Sequence, residues 1–178
     1  MSNGQNDIPP AFESGFTLFE LLITLLLVGM IAAWGLPNFH ALGERTVHTS
    51  AINRLQNTFS LARNTAISQQ GSITLCPAAD NRTACVDEWS GELIIVRGDI
   101  TNEIPEEAIL RIVPALPHTQ VVYSRGWSYV RYNAMGYTRG FNGSFAICST
   151  NGGLGAQGKR LVLSQLGRLR VDEAPIDC

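Results

Sequence analysis

The sequence predicts an α+β fold in which one long N-terminal α-helix packs on an antiparallel β-domain. Three observations predict it. First, no charged residue occurs between Glu20 and Pro37. Second, the segment that follows has apolar residues at every third or fourth position, the spacing of an amphipathic helix. Third, from Ser72 onward apolar residues recur at every second position, the spacing of strands, with turn residues between the runs. The chain of 178 residues is 45% apolar and 16% charged, which suffices for one packed domain and excludes a disordered chain.

The apolar stretch over residues 16–36 is the first element. As a helix it would be about 31 Å long, the thickness of one hydrocarbon core. A secretory signal peptide has a basic start and a cleavage site after its apolar run, whereas residues 1–15 contain no Lys or Arg, and Ser14 and Gly15 precede the run. Cleavage after Gly15 would therefore leave the apolar helix on the mature protein.

Glu20 is a single carboxylate inside this apolar stretch. A carboxylate in hydrocarbon costs at least about 2.5–3.5 kcal/mol, so Glu20 needs a partner. Cleavage after Gly15 creates an α-amino group on Phe16, which can pair with Glu20 of a neighbouring subunit. The alternative is that Glu20 lies at the headgroup level and pairs with nothing.

The segment Gly15-Phe16-Thr17-Leu18-Phe19-Glu20-Leu21-Leu22 resembles the class III signal of type IV pilins and type II secretion pseudopilins. The resemblance implies a prepilin leader over 1–15, cut after Gly15 by prepilin peptidase, and methylation of Phe16. It implies assembly roles for Glu20 and for Pro37, the 22nd mature residue, where pilins often have proline. It further implies a single-pass inner-membrane protein with a periplasmic globular domain, which later reaches a pilus or pseudopilus tip.

Residues 37–70 predict the amphipathic half of the same helix. Its apolar residues recur at helical spacing and form one stripe suited to packing on a sheet: Val47, Ala51, Leu55, Phe59, Ala62 and Ala66. Gly71 is expected as the C′ residue that ends the helix. His40 and His48 have no third ligand nearby, so we interpret them as surface residues and expect no metal site.

Residues 71–178 predict a β-domain with turns at Asn142-Gly143, Gly152-Gly153 and Gly167. Eight strands are expected: Ser72–Cys76, Glu92–Val96, Ile109–Val113, Thr119–Ser124, Ser128–Asn133, Ser144–Cys148, Arg160–Ser164 and Arg168–Val171.

This half resembles the GspH/FimT domain. The resemblance is carried by Thr74-Leu75-Cys76-Pro77, Cys85, Trp89 to Val96, Tyr132-Asn133-Ala134-Met135-Gly136 and Gly167-Arg168-Leu169-Arg170-Val171. It implies a pilin-like fold and a minor pilin in the tip or priming complex of a type IV pilus, partnered by other minor and major pilins. The alternative it leaves open is the H pseudopilin of a type II secretion system, partnered by pseudopilins.

The four cysteines, Cys76, Cys85, Cys148 and Cys178, fit no zinc spacing. If the domain lies outside the cytoplasm, it meets an oxidising compartment, where three pairings are possible. Cys76–Cys85 would close a short loop and Cys148–Cys178 would fix the C-terminal tail, so this pairing is favoured. Four buried free thiols are the alternative.

No enzymatic or cofactor site is expected. Gly153 to Lys159 spells both G-x-G-x-x-G and G-x-x-x-x-G-K, but a nucleotide site needs a helix after the glycines and a strand pattern follows. Arg160 also stands where a P-loop has Ser or Thr. The motifs G-x-S-x-G and H-E-x-x-H do not occur in the sequence.

The charge is divided unevenly along the chain. Residues 1–108 carry twelve acids and five bases, whereas residues 109–178 carry three acids and eight bases. Lys159, Arg160, Arg168 and Arg170 lie on the last two predicted strands, and alternation puts Arg168 and Arg170 on one face. Gly167-Arg168-Leu169-Arg170 resembles the G-R-x-R motif with which FimT minor pilins bind DNA during uptake. These four residues are the candidate contacts to double-stranded DNA, and the alternative is that they cap the sheet edge or bridge to neighbouring subunits.

Overall fold

The computed structural model describes residues 16–100, 103–150 and 157–178, without the side chains of residues 34–48. The predicted leader, including Gly15, and the Gly153 to Ala156 part of the glycine-rich loop lie outside the described residues. The chain divides into two compact units, Met1–Ala41 and Leu42–Cys178. One α-helix, α1, runs over Leu18–Ser68 and takes part in both.

In the first unit, α1 begins with a capped first turn. The Thr17 hydroxyl accepts a hydrogen bond from the Glu20 amide at 3.3 Å, the usual N-cap contact. The apolar side chains that follow are exposed, from 43% at Ile23 to 77% at Leu18. Within the described residues, no helix is both long and apolar enough to span a membrane.

In the second unit, the predicted stripe of α1 forms one wall of the core. Its described members are 0–1% exposed, namely Ala51, Leu55, Phe59, Ala62 and Ala66. These five side chains share one hydrophobic core cluster with buried residues of both sheets. The amphipathic interpretation is therefore confirmed for these five residues.

The end of α1 differs from the prediction by one residue. Gln70, not Gly71, takes the left-handed conformation, with φ of 50°. Gly71 donates to the Ala66 carbonyl at 3.1 Å and Gln70 donates to the Ile67 carbonyl at 3.2 Å, which is the Schellman pattern with Gln70 at C′. The expectation of Gly71 at C′ was wrong because this hydrogen bonding places the turn one residue earlier.

All eight predicted strands are present, and they form two four-stranded antiparallel sheets. The first sheet has the order β3-β2-β1-β5 and the second β4-β6-β7-β8. The strand bounds are β1 Ile73–Pro77, β2 Leu93–Arg97, β3 Ile109–Val113, β4 Thr119–Tyr123, β5 Val130–Tyr132, β6 Gly143–Ser149, β7 Gln157–Leu163 and β8 Leu169–Asp177. A short 3-10 helix over Glu106–Ala108 precedes β3.

The last two strands are longer than expected. Strand β8 continues six residues past Val171 because its backbone pairs with β7 as far as Gln157↔Asp177. These added residues lack an alternating apolar pattern, so no local pattern predicts that the strand continues. The helix and the two sheets together confirm the α+β class.

An aromatic cluster joins the second sheet and the loop between β1 and β2 to α1. Phe145 packs edge-on against Phe59 and Trp89, at centroid distances of 5.1 and 5.0 Å, and stacks on Tyr123 at 4.3 Å. Tyr123 donates its hydroxyl hydrogen bond to the Phe141 carbonyl. Burial raises the pKa of Tyr123 to about 12, because the phenolate would lose its hydration.

Candidate functional site

The first candidate site is the start of α1. Phe16 is 83% exposed, and Glu20 is exposed among exposed apolar neighbours. Residues 16–33 contain no Lys, Arg or His, so this segment offers Glu20 no side-chain cation of its own. Pro37 lies within α1, in the stretch whose side chains are not described. The described start of α1 is therefore an exposed apolar helix with one carboxylate. The pairing of Glu20 with an amine of a neighbouring subunit stays a prediction.

The second candidate site is the hairpin of β7 and β8. The register pairs Arg160 with Asp172 and Val162 with Arg170, so these four side chains share the outer face of the second sheet. Leu161 and Leu163, on the other face, are buried in the core. Lys159 falls on the same side as Leu161 by alternation, so the structure separates it from the arginines.

Arg168 and Arg170 are exposed, and Arg168 precedes the first residue of β8. Arg160 lies 3.9 Å from the Asp172 carboxylate, at the limit of an ion pair. Among the described residues, no carboxylate lies within 4.0 Å of Arg168 or Arg170. Asp172 therefore faces Arg160 and leaves the two other guanidinium groups available to an anionic partner.

The glycine of the G-R-L-R segment has a packing role that the sequence did not reveal. Gly167 has φ of 76°, and a Cβ there would lie 2.1 Å from the Gly136 carbonyl oxygen. Gly136 in turn has φ of 73°, and a Cβ there would lie 2.8 Å from Ile67 of α1. Two glycines therefore allow the loop after β5 and the β7–β8 turn to meet beneath the end of α1, a contact that we call the glycine junction.

Hydrogen bonds hold the glycine junction in one geometry. Arg63 donates from Nε to the Gly136 carbonyl at 3.1 Å. Thr138 donates from its amide to Gln165 and from its hydroxyl to Ser164, at 3.0 and 2.8 Å. The sequence does not show that Gly136 and Gly167 touch. The two glycines lie in turns that are far apart along the chain and meet only in the folded domain.

The loop from Cys76 to Glu92 carries exposed acids. Asp87 and Glu88 line a cavity of about 250 Å³ together with Val122 and Trp127. Glu92 forms an ion pair with Arg82 at 2.5 Å, and the hydrogen bond from Arg82 lowers the pKa of Glu92 below its ordinary value. Among the described residues, Asp87 and Glu88 have no cation within 4.0 Å.

Arg54 reaches this loop from α1. It donates to the Gly91 carbonyl at 2.9 Å, while its Nε and Nη1 atoms are buried without a described hydrogen-bond partner. Burial lowers the pKa of Arg54 to about 10, because the cation loses hydration there. This side chain anchors the acidic loop to the helix.

Both disulfides are formed, in the pairing favoured from the sequence. Cys76–Cys85 closes the acidic loop, and Cys148–Cys178 joins β6 to the C-terminus. A Cβ at Gly158 would lie 2.5 Å from the Cys178 sulfur, so a glycine is required where the second disulfide crosses β7. Within the described part of the chain, no three His, Cys, Asp or Glu residues are grouped as metal ligands would be.

A helix packed on two antiparallel sheets, with a carboxylate near the start of its apolar part, defines a pilin-like protein. The family model for the type II transport protein GspH matches residues 51–167, and the chain belongs to that family. Among curated proteins, none matches the sequence.

Solved structures of the type IV minor pilin FimU from Pseudomonas aeruginosa strain PAO1 share this fold. In one crystal form the TM-score is 0.62 at 23% identity, covering 76% of this chain and 96% of FimU. In a second form the TM-score is 0.58 at 23% identity, covering 72% and 96%. At this identity the likeness establishes the fold.

Proposed function

We propose that the chain is a minor pilin that supports assembly of a type IV pilus as a structural subunit of the tip or priming complex. Residues 1–15 are the leader removed by prepilin peptidase, and Phe16 becomes the methylated N-terminus. Residues 16–36 anchor the protein in the inner membrane, residues 37–70 continue the helix, and residues 71–178 form the periplasmic domain. Its partners are other minor and major pilins, and it has no catalytic role.

The observation that carries the proposal is the exposed apolar helix with its single carboxylate. In the first unit the described apolar side chains have no protein cover, so they require lipid or neighbouring helices. In lipid or between helices, the free-energy cost of desolvating the Glu20 carboxylate is offset only if a cation pairs with it. The α-amino group of a cleaved Phe16 on the next subunit supplies that cation. Membership of the GspH family and the FimU fold agree with this role.

The test is Glu20→Ala, expressed as the full chain in piliated cells. We expect normal removal of residues 1–15, measured by mass spectrometry, and loss of the protein from sheared pili. Thr24→Ala is the matched control, because Thr24 is a polar residue of the same segment whose hydroxyl is satisfied by the Leu21 carbonyl at 2.9 Å. Normal incorporation of Glu20→Ala, or a mature protein that keeps residues 1–15, would contradict the proposal.

The H pseudopilin of a type II secretion system is the alternative, since the family description names type II transport. Deleting the chain distinguishes the two roles. Loss of surface pili with intact exoprotein secretion supports the pilus, and the reverse result supports the secretion system.

A second function, DNA binding, is favoured by the two unpaired arginines of the β7–β8 hairpin. Guanidinium groups suit phosphate contacts, which are independent of base sequence and weaken with salt. The test measures binding of Leu42–Cys178 to double-stranded DNA over a salt series, comparing wild type with Arg168→Gln/Arg170→Gln. Loss of two phosphate contacts should lower the slope of log K against log salt by about 1.8.

Arg97→Gln/Arg111→Gln is the matched control, because it removes two exposed charges from the first sheet. An unchanged slope for the hairpin variant, or an equal loss in the control, would exclude a DNA site at Arg168 and Arg170.

A further inference from the structure

The loop closed by the first disulfide contains a tripeptide that has no part in the roles described above. Asn81-Arg82-Thr83 has the form N-x-T with x other than proline, which is the acceptor sequence for attachment of a glycan to an asparagine amide. All three residues are exposed, and they lie between Cys76 and Cys85. Such a tripeptide also occurs by chance, so the geometry of the loop has to distinguish an acceptor from a coincidence.

The Asn81 amide is already held by the threonine of its own tripeptide. Thr83 donates two hydrogen bonds to Asn81 Oδ1, from its backbone amide at 3.2 Å and from its hydroxyl at 2.8 Å, which form an Asx turn. Arg82 has φ of 58°, and its side chain is held by Glu92. The Asn81 side chain is exposed, and its Nδ2 donates to no described residue, so the nitrogen is open to an enzyme.

The two hydrogen bonds favour reaction at that nitrogen. An amide nitrogen is a weak nucleophile, because its lone pair is delocalised into the carbonyl group. Removal of a proton from Nδ2 moves negative charge onto Oδ1, and the hydrogen bonds that Oδ1 accepts stabilise this charged form. The Asx turn therefore lowers the free energy needed to deprotonate Nδ2.

A second tripeptide of this type, Asn142-Gly143-Ser144, lacks the arrangement. Gly143 and Ser144 belong to β6 and pair with Leu163 and Val162 of β7. The Ser144 amide donates to the Ser124 hydroxyl at 2.9 Å, so it already has an acceptor outside the tripeptide. The chain thus contains one acceptor sequence in an exposed turn and one fixed in a strand, which serves as an internal control.

Open space lies beside the Asn81 amide. Asn81 and Thr83 line a cavity of about 460 Å³ together with Ile109 and Ile112. Ile112 is 41% exposed on the edge strand β3. A sugar attached at Nδ2 has room there, and the apolar C–H face of its ring can cover Ile112.

We propose that Asn81 is a site of N-linked glycosylation, with a glycan carried on a polyprenyl diphosphate as the donor. Nδ2 forms a bond to the anomeric carbon of the first sugar and gives up one proton to the base of the transferase. The bond from that carbon to the diphosphate oxygen breaks, and the lipid diphosphate leaves. The proposal rests on the proposed function in one respect, because the β-domain has to lie outside the cytoplasm, where the two disulfides also form.

The test is peptide mapping of the full chain, purified from the cells that produce it naturally. Trypsin releases Asn81 in the peptide Asn64–Arg82 and Asn142 in the peptide Gly140–Lys159. We expect Asn64–Arg82 to carry an added sugar mass, which electron-transfer fragmentation places on Asn81. Gly140–Lys159 should have its unmodified mass.

Variants expressed in the same cells test the role of each atom. Asn81→Asp keeps the Oδ1 acceptor of the turn but removes the nitrogen, so the sugar mass should be lost completely. Thr83→Ala should lose it as well, whereas Thr83→Ser keeps the hydroxyl and should keep the glycan. Asn142→Gln is the matched control and should carry the same glycan as wild type.

An unmodified Asn81 in the wild-type protein would overturn the proposal, as would a glycan that stays on Asn81→Asp or one that fragmentation places on Thr83. The same digest reports the N-terminus and so separates the two proposals. A mature N-terminus at Phe16 with unmodified Asn81 contradicts glycosylation alone. A retained leader with a glycan on Asn81 supports glycosylation and contradicts the proposed function.

Discussion

Gly167→Ala tests whether the glycine of the G-R-L-R segment is required by packing. The new Cβ would lie 2.1 Å from the Gly136 carbonyl oxygen and 2.9 Å from Tyr132 Cε1, so backbone must move by about 1 Å. A φ of 76° adds the left-handed cost of about 1 kcal/mol for an alanine. With an overpacking cost of about 2–3 kcal/mol, we expect about 3–4 kcal/mol of destabilisation.

The assay is reversible unfolding of Leu42–Cys178 in guanidinium chloride, with Tm as a second measurement. At about 3 °C per kcal/mol for a domain of this size, Tm should fall by roughly 10 °C. Gly140→Ala is the matched control, because φ there is 84° and nothing lies within 4 Å of the new Cβ. If Gly167→Ala is no less stable than Gly140→Ala, the close contact between Gly167 and Gly136 is refuted.

Three further predictions concern stability. Gln70→Gly should stabilise the domain by about 1 kcal/mol in the same assay, because glycine removes the left-handed cost at C′; a destabilised variant would refute the Schellman ending. Replacing both cysteines of one disulfide with alanine should lower the free energy of unfolding, by about 2.5 kcal/mol for Cys76–Cys85 and about 3.5 kcal/mol for Cys148–Cys178. The second loss is larger because the sequence separations are 9 and 30 residues. An equal loss of unfolding free energy for the two disulfides would show that loop length does not determine their contribution. Burial raises the pKa of Tyr123 from 10.0 to about 12, so the unfolded state ionises first and stability should fall as pH rises through that range. Unfolding curves from pH 9 to 12 check this, and Tyr123→Phe should reduce the loss of stability without abolishing it, because burial also raises the pKa of Tyr132.

The sequence predicted every strand and the helix because their patterns are local. The stripe from Ala51 to Ala66 and the alternation within β4 each specify a period and a buried face. The prediction was less accurate where long-range pairing decides the structure. Strand β8 continues to Asp177 because β7 offers it backbone partners. Lys159 lies on the other face from Arg160 because it pairs with Ile147 of β6, whose side chain is buried in the core.

The sequence by itself determined the apolar segment, the position of Glu20 within it, the two-part helix and the class of fold, because composition and period act over neighbouring residues. Tertiary structure decided which charges meet. It brought Asp172 to Arg160, left Arg168 and Arg170 without a carboxylate, and joined Gly136 to Gly167 beneath Ile67. These contacts join residues that are far apart in the chain. A local sequence pattern cannot predict them, because the residues come close only when the two sheets pack.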